Sequence, residues 1–279
     1  MLKTMKYSEI INELARVGVQ DASSEAGVIL EELFGATRAD ILLNRDKDYD
    51  SDKIVPIIEE RKRKIPLQYI LGAWYFMGER FEVSPDCLIP RPDTEILVYE
   101  ALKLVNDGDC VADLCTGSGC IGVSMLKKSE KIASATLLDI SNGALEMAKR
   151  NASALGVENR CKLVLGDITK SLPDGKYDMI VSNPPYIPSE DIKGLSDEVK
   201  NEPMLALDGG RDGLDIVRAL IDKAPNSIKK GGHLLIEFGY DQGNAIANIM
   251  EEKLTQGAYS SYKIIKDYGG NDRLLLARV

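Results

Sequence analysis

Asn183-Pro184-Pro185-Tyr186 stands directly behind the apolar run Tyr177-Asp178-Met179-Ile180-Val181 and Ser182. That places the tetrapeptide at the C-terminal end of a buried strand, the edge where open α/β sheets hold their ligands. Its chemistry suits the grip of a planar NH2 group. The Asn183 side-chain oxygen and the Pro184 carbonyl both accept hydrogen bonds from such a group. The prolines stiffen the loop and remove competing N–H donors. Tyr186 offers a flat face for stacking, and Pro185 a second wall. The lone pair of an amide or exocyclic amine is delocalised, so the nitrogen is a poor nucleophile. Two acceptors on its hydrogens favour the pyramidal form that attacks an electrophile. The same tetrapeptide also reads as an ordinary proline-stiffened loop, and its context decides.

The residues upstream supply that context. Cys110-Val111-Ala112-Asp113-Leu114 reads as a strand, Cys115-Thr116-Gly117-Ser118-Gly119 as a small-residue turn, and Cys120 onward as a helix. Such a turn lets a ligand approach the backbone. A second strand, Ala135-Thr136-Leu137-Leu138, ends at Asp139, a carboxylate suited to both hydroxyls of a ribose. A third, Cys161 to Leu165, leads to Asp167 and Ile168, an acid for an adenine edge and an apolar contact for its face. Gly117-Ser118-Gly119-Cys120-Ile121-Gly122 fits the dinucleotide fingerprint, so the glycines alone serve a nicotinamide or an adenosylmethionine ligand alike. A hydride-transfer site has no use for an amide clamp and wants a proton donor such as His, Lys or Tyr. Asn183-Pro184-Pro185-Tyr186 therefore favours adenosylmethionine.

This set of residues resembles the class I methyltransferases that use S-adenosylmethionine, and among them the amino-methyltransferases. The flanks sharpen the match. Pro66-Leu67-Gln68-Tyr69-Ile70-Leu71-Gly72, Leu88-Ile89-Pro90-Arg91-Pro92-Asp93-Thr94-Glu95, Glu202-Pro203 and Ala206-Leu207-Asp208-Gly209-Gly210-Arg211-Asp212-Gly213-Leu214-Asp215 are similar to the family that methylates the glutamine amide of peptide chain release factors. The resemblance runs from about Arg61 to the C-terminus; the first sixty residues match in length and helical character. It implies a Rossmann-like, mostly parallel sheet with a terminal antiparallel hairpin, preceded by a small helical bundle. It further implies S-adenosylmethionine as cofactor, with S-adenosylhomocysteine as product. The cofactor would be held by Cys115, Thr116, Gly117, Ser118, Gly119, Asp139, Asp167, Ile168 and Asn183. The substrate it implies is the Gly-Gly-Gln segment of class 1 release factors, with Asn183 and Pro184 orienting the amide between Pro185 and Tyr186. One departure is visible: the family usually has glycine where this chain has Cys115, which adds a Cβ and a sulfur beside the cofactor turn. The competing reading is an amino-methyltransferase for adenine or guanine in DNA or RNA, with Tyr186 stacked on an extruded base.

Composition weighs against that competitor. The chain of 279 residues carries a net charge of −9, and its only dense basic cluster is Arg61-Lys62-Arg63-Lys64. Nucleic-acid enzymes usually show a basic face; this cluster reads first as a solvated helix end complementing the macrodipole, with a docking patch for an acidic protein or for RNA as the sharper alternative. No nucleic acid requirement is expected. The apolar fraction of 44% is ordinary for a packed core, and no apolar run approaches membrane-spanning length. Cys87, Cys110, Cys115, Cys120 and Cys161 form no metal-ligand pattern and read as reduced thiols, the usage of a cytoplasmic protein. The single histidine, His233, opens a strand and reads as structural, so neither a metal site nor a Ser-His-Asp triad is expected. A monomer is expected.

These residues need a scaffold. Ile10, Ile11, Leu14 and Val17 fall at helical spacing with Ser8 as candidate N-cap. Residues 24–34, 38–44 and 51–64 give three more helices, and no strand alternation is visible in the first 65 residues. Residues 1–70 thus form a helical domain, read as docking the substrate protein. Residues 71–90 form a linker built on a β-hairpin at Trp74–Val83. Residues 91–279 form the catalytic domain, opening with a helix capped by Asp93-Thr94-Glu95 and then alternating strand and helix, the pattern of a parallel sheet covered on both faces. Tyr262–Ile265 and Arg273–Val279 pair antiparallel across Gly269-Gly270-Asn271-Asp272. Asp208–Asp215 reads as a structured loop at the substrate face. Glu237, closing the fifth strand, is left open between a core-edge acid and a partner of the site.

Overall fold

The computed structural model describes residues 4–279. Contacts divide the chain into two compact units, one comprising the residues up to Gly72 with Ser196–Asn201, the other Ala73–Leu195 with Glu202–Val279.

The smaller unit runs β1 (Thr4–Lys6), α1 (Tyr7–Arg16), α2 (Ala22–Phe34), α3 (Arg38–Leu43), β2 (Asp48–Asp50), α4 (Ser51–Lys62) and α5 (Leu67–Leu71). Ile10 and Leu14, one turn apart on α1, bury against Ile29 and Leu30 of α2 and Ile54 and Ile57 of α4. The cap of α1 differs from expectation. Lys6, not Ser8, is the N-cap residue, and its N–H donates to Glu9 at 2.7 Å, half of a capping box. Two strands also occur where none was visible: β1 and β2 pair antiparallel. Three residues are too few to display a period of two.

Half of the basic cluster at the end of α4, Arg61 and Lys64, is drawn inward, which corrects the reading of a solvated helix end for those two residues. Arg61 is 1% exposed. Its guanidinium donates to both oxygens of Glu25 (2.8 and 2.7 Å), to Glu198 (2.8 Å) and to the Ile65 carbonyl (2.6 Å). Lys64 donates to the Val17 carbonyl at 2.9 Å. Only Lys62 and Arg63 stay outside, beside Glu59 and Glu60. A buried guanidinium with a full set of acceptors is a structural clamp rather than a docking charge.

The larger unit runs β3 (Ala73–Phe76), β4 (Glu79–Glu82), α6 (Glu95–Leu102), β5 (Asp109–Leu114), α7 (Cys120–Lys128), β6 (Ile132–Asp139), α8 (Asn142–Ala154), β7 (Cys161–Leu165), β8 (Tyr177–Ser182), α9 (Asp215–Lys223), β9 (Ile228–Glu237), α10 (Gly243–Thr255), β10 (Ser261–Lys266) and β11 (Asp272–Arg278). A seven-stranded sheet has the order β10-β11-β9-β8-β5-β6-β7. All its strands run one way except β11, which lies antiparallel between β9 and β10.

Alternation along the central strands builds both faces of the core. Val111, Met179, Val181 and Leu235 face one cluster with α6, α7 and α8 residues such as Leu97, Val123 and Ala148. Ala112, Leu114, Ile180, Leu234 and Ile236 face the other, with Leu220 of α9 and Met250 of α10. The β3–β4 hairpin joins the first cluster through Phe76 and Phe81, whose rings meet edge-on at 6.1 Å. The hairpin therefore belongs to the core of this unit. Among the described residues, no helix is long and apolar enough to cross a membrane.

The chain steps outward from β5 to β6 and β7, then returns to lay β8 on the other side of β5. The order reverses between β5 and β8, and a crevice opens at their carboxyl ends for that reason.

Candidate active site

Register lines up the tips of neighbouring strands. Leu114 pairs with Leu138 and with Ser182, and Ser182 pairs with Ile236. One residue further on, Asp139 and Glu237 close β6 and β9 while Cys115 and Asn183 immediately follow β5 and β8, all four in a row. Above this row lies a cavity of about 550 Å³. Of the residues singled out in the sequence, it is lined by Cys115, Thr116, Gly117, Ser118, Asp139, Asp167, Ile168, Asn183 and Pro185. Gly119, Pro184 and Tyr186 are not among its lining residues.

The glycine turn is held from below by an acid. Asp113, fully buried at the end of β5, accepts from the Thr116 hydroxyl (2.6 Å) and from Gly122 N (2.9 Å). Burial pushes its carboxyl up to about 7, against those two hydrogen bonds. A Cβ on Gly122 would overlap Leu137 Cδ2 and lie 3.1 Å from the Asp113 side chain, so the glycine lets α7 lie close to the sheet without displacing Leu137. Cys115 adopts φ +59°, the left-handed conformation that suits glycine better than a residue with a Cβ. The cysteine keeps that backbone at a cost of roughly 1–2 kcal/mol, and burial raises its thiol pKa well above the ordinary range, so it stands neutral beside the cavity. At Gly117 an added Cβ would meet no protein atom within 4 Å; the backbone there faces open space.

The acids on this side are half-buried. Asp139 accepts from Gly117 N and Ser141 N, both at 2.9 Å. Burial raises its pKa; the backbone hydrogen bonds oppose the shift. Asp167 is held by Thr169, whose hydroxyl and N–H donate at 2.6 and 2.9 Å and keep the carboxyl below its usual range. Ile168, 5% exposed, gives an apolar wall. Asn151 of α8 staples the turn from outside, donating to Ser118 O (2.8 Å) and Glu82 O (3.0 Å) and accepting from Glu82 N (2.7 Å).

The Asn183 side chain is fixed by a residue read only as a helix cap. Thr94 precedes α6 but makes no side-chain cap; its hydroxyl accepts from Asn183 Nδ2 at 3.0 Å. Asn183 Oδ1 accepts from no protein donor among the described residues. Behind Thr94 lies Glu237, 2% exposed, its carboxyl pushed up to about 7 by burial against hydrogen bonding by Thr94 and the charge of Arg273. Tyr186 turns inward: its hydroxyl lies 3.4 Å from Glu237 Oε1, and burial beside that acid raises its pKa. Pro185, and not Tyr186, is the member of the pair that lines the cavity. Glu237 was visible as an acid closing an apolar strand, but Thr94 as the partner of Asn183 was not.

Asp208–Asp215 forms the back support of the tetrapeptide. Ile187 N donates to Leu207 O, Gly209 N to Ile187 O and Ser189 N to Gly210 O, at 2.9–3.0 Å. A Cβ on Gly209 would lie 2.8 Å from both Pro185 O and Tyr186 Cα. Gln242 Nε2 donates to Tyr186 O at 2.8 Å. Across the cavity, Glu202 is buried, accepting from Ile89 N at 3.1 Å and pairing with the Arg91 guanidinium. Arg91 and the exposed Met204 and Leu205 reach the cavity rim. Among the described residues no group of His, Cys, Asp or Glu gathers that could hold a metal ion.

A Rossmann-like sheet with one reversed strand, a glycine turn and acids at successive tips defines a class I methyltransferase. The methyltransferase small domain matches residues 93–199, and the PrmC N-terminal domain matches residues 7–72. The release factor glutamine methyltransferase of Moorella thermoacetica is 38% identical over 274 residues, 96% of this chain and 95% of that one. The one from Aquifex aeolicus is 31% identical over 284 residues, 100% of this chain and 99% of that one. The chain belongs to the release factor glutamine methyltransferase family. Among solved structures, a methyltransferase from Pyrococcus furiosus superposes with a TM-score of 0.55 at 20% identity, covering 79% of this chain and 98% of that one, which bears on the fold alone.

Proposed function

We propose that this chain transfers the methyl group of S-adenosylmethionine to the side-chain amide nitrogen of the glutamine in the Gly-Gly-Gln segment of class 1 peptide chain release factors. The observation that carries the reading is the commitment of Asn183 Nδ2 to Thr94, which leaves Oδ1 as the free acceptor at the cavity. A glutamine amide brings two N–H donors. Asn183 Oδ1, at the cavity, takes one. The other is assigned to the Pro184 carbonyl, although Pro184 is buried and is not among the lining residues. Both acceptors favour the pyramidal nitrogen. Membership of the family supports the same substrate.

The residues present fit the cofactor. The open face of Gly117, the carboxylates of Asp139 and Asp167 and the apolar wall of Ile168 offer the donors, acceptors and surface that an amino acid, a ribose and an adenine need. When bound, S-adenosylmethionine supplies an electrophilic methyl group. The chain contributes position and water exclusion: Asn183 and Pro184 set the line of attack, and Pro185 closes the wall. No strong base is required, because the amide N–H becomes acidic once its nitrogen is alkylated.

The helical unit is assigned to docking the body of the substrate protein, the whole acting as a cytoplasmic monomer without a nucleic acid requirement. The test is incubation with methyl-labelled cofactor and purified release factor, tRNA, ribosomal RNA and DNA in parallel. Label is expected in the release factor alone, on its Gly-Gly-Gln glutamine. A short Gly-Gly-Gln peptide, which reaches no docking surface, should have a much lower kcat/KM than the intact factor. Label in RNA or DNA with none in the factor sinks the substrate assignment. A peptide equal to the intact factor sinks the docking role.

Asp139→Ala is expected to weaken S-adenosylmethionine binding by roughly 1.5–3 kcal/mol, the loss of a charge-assisted acceptor for the ribose diol. Titration calorimetry reads it directly. Unchanged affinity would remove Asp139 from the cofactor site.

A further inference from the structure

We propose that Met204, Leu205 and Tyr240 form an apolar cradle that grips the substrate chain beside its target glutamine. The inference deepens, and rests on, the release factor substrate proposed above.

Two segments brace the tetrapeptide, and each carries large apolar side chains in the open. The first is Pro203-Met204-Leu205-Ala206-Leu207. It is tied to the residue after Tyr186, because Ile187 N donates to Leu207 O at 3.0 Å and Gly209 N to Ile187 O at 2.9 Å. Its other end is anchored at buried Glu202, which accepts from Ile89 N at 3.1 Å and pairs with Arg91. Between these anchors a tight turn fixes the backbone, with Ala206 N donating to Pro203 O at 2.9 Å and Asp208 N to Met204 O at 3.0 Å. Met204 is nonetheless 56% exposed and Leu205 65%, and both line the cavity that Asn183 lines.

The second segment is the turn after β9. Gln242 accepts from Gly239 N and donates to Tyr186 O, both at 2.8 Å, so the turn is tied to the tetrapeptide by one side chain. Tyr240, within that turn, is 66% exposed. Single apolar residues scattered over a surface mean little, but these sit on both supports of the reacting loop.

Charge selects the occupant. Among the described residues, the charged groups that line the cavity are Arg91 and five aspartates, and Arg91 is paired with Glu202. A phosphate backbone is disfavoured there. Pro203–Leu207 itself bears no charge, in a chain of which 28% is charged. An uncharged, glycine-rich peptide segment fits. Glycine offers no side chain to hold, so the grip must come from contact with its Cα and peptide faces. Thioether, isobutyl and phenol surfaces supply that contact.

The test uses the full chain with Met204→Ser/Leu205→Ser, Met204→Leu/Leu205→Met, Tyr240→Ala and Tyr240→Phe. Each is assayed on intact release factor and on a short Gly-Gly-Gln peptide, with S-adenosylmethionine Kd and Tm measured alongside. Met204→Ser/Leu205→Ser and Tyr240→Ala should each lower kcat/KM about tenfold, by the same factor on both substrates, because the contact lies beside the glutamine. S-adenosylmethionine Kd should stay within about threefold and Tm within about 2 °C, as for exposed positions. Met204→Leu/Leu205→Met and Tyr240→Phe keep the apolar surface and should stay within about threefold of wild type in kcat/KM. Wild-type kcat/KM in Met204→Ser/Leu205→Ser or in Tyr240→Ala overturns the cradle. So does a loss on intact factor that the peptide does not share, which would place the contact far from the glutamine. A loss of cofactor affinity in step with turnover would make these residues a cover for the cofactor, and a Tm lowered in step with it would make them structural; either result overturns the cradle as well. Conservative variants as slow as the disruptive ones do the same. Wild-type enzyme that labels RNA or DNA and leaves release factor unlabelled overturns the substrate assignment and the cradle with it, whereas labelled release factor with unaffected variants sinks the cradle alone.

Discussion

Asn183→Ala is expected to lower kcat on release factor by about 100- to 1000-fold, roughly 3–4 kcal/mol of barrier, the usual cost of losing one oriented partner of the reacting group. Asn183 Oδ1 is the free acceptor at the cavity, and the Nδ2–Thr94 bond holds it there. Alanine removes the acceptor and leaves the Pro184 carbonyl alone to orient the amide. S-adenosylmethionine affinity should stay within about threefold, because Gly117 and Asp139 stand on neighbouring tips, and the Gly117 N–H to Asp139 bond of 2.9 Å does not involve Asn183. Calorimetry and single-turnover labelling on the same preparation separate the two effects. If cofactor affinity falls as far as turnover, Asn183 serves the cofactor rather than the glutamine.

The tips of β5, β6, β7 and β8 were legible because each strand is a short apolar run closed by a residue that does not belong in a core. Cys115-Thr116-Gly117, Asp139, Asp167 and Asn183 all punctuate such runs, and the parallel sheet puts them on one edge. Burial then selects: nothing in Pro184-Pro185-Tyr186 says that Pro184 is buried and that the tyrosine points inward at Glu237. That depends on a strand fifty residues away.

What the sequence withheld is carried by contacts of long separation. Thr94 meets Asn183 across 89 residues, Glu202 meets Arg91 across 111, and Arg61 meets Glu198 across 137. Thr94 carries the local signature of a helix cap, and the structure uses its hydroxyl elsewhere. Arg61 sits in a run of four basic residues, so a solvated end is the natural local reading; two glutamates from distant segments pull it inside. Local patterns report propensity, whereas these residues answer to buried charge and unpaired donors that exist only once the chain has folded.

The most severe backbone lesion is expected from Gly213→Ala. Gly213 has φ +74°, where an L-residue costs roughly 1–2 kcal/mol by itself. Its added Cβ would overlap the Tyr186 carbonyl oxygen and come within 2.6 Å of Gln242 Nε2, the group that donates to that same oxygen at 2.8 Å. Backbone cannot swing aside as a long side chain does. Either the Tyr186 peptide shifts, carrying Asn183 with it, or the loop withdraws and loses the bonds Gly209 N–Ile187 O and Ser189 N–Gly210 O, both 2.9 Å. The combined loss of stability is expected to be roughly 2–4 kcal/mol, read as a lowered Tm. A displacement of about 1 Å at the amide clamp should cost about 100-fold in kcat. The nearest atoms to the added Cβ belong to Tyr186 and Gln242 and not to the β5 or β6 tips, so S-adenosylmethionine affinity measured below the lowered Tm should remain within about threefold. Loss of cofactor binding in step with turnover would mean general unfolding rather than displacement of the clamp. A variant with wild-type kcat and Tm would show that the Asp208–Asp215 loop does not hold the tetrapeptide in place.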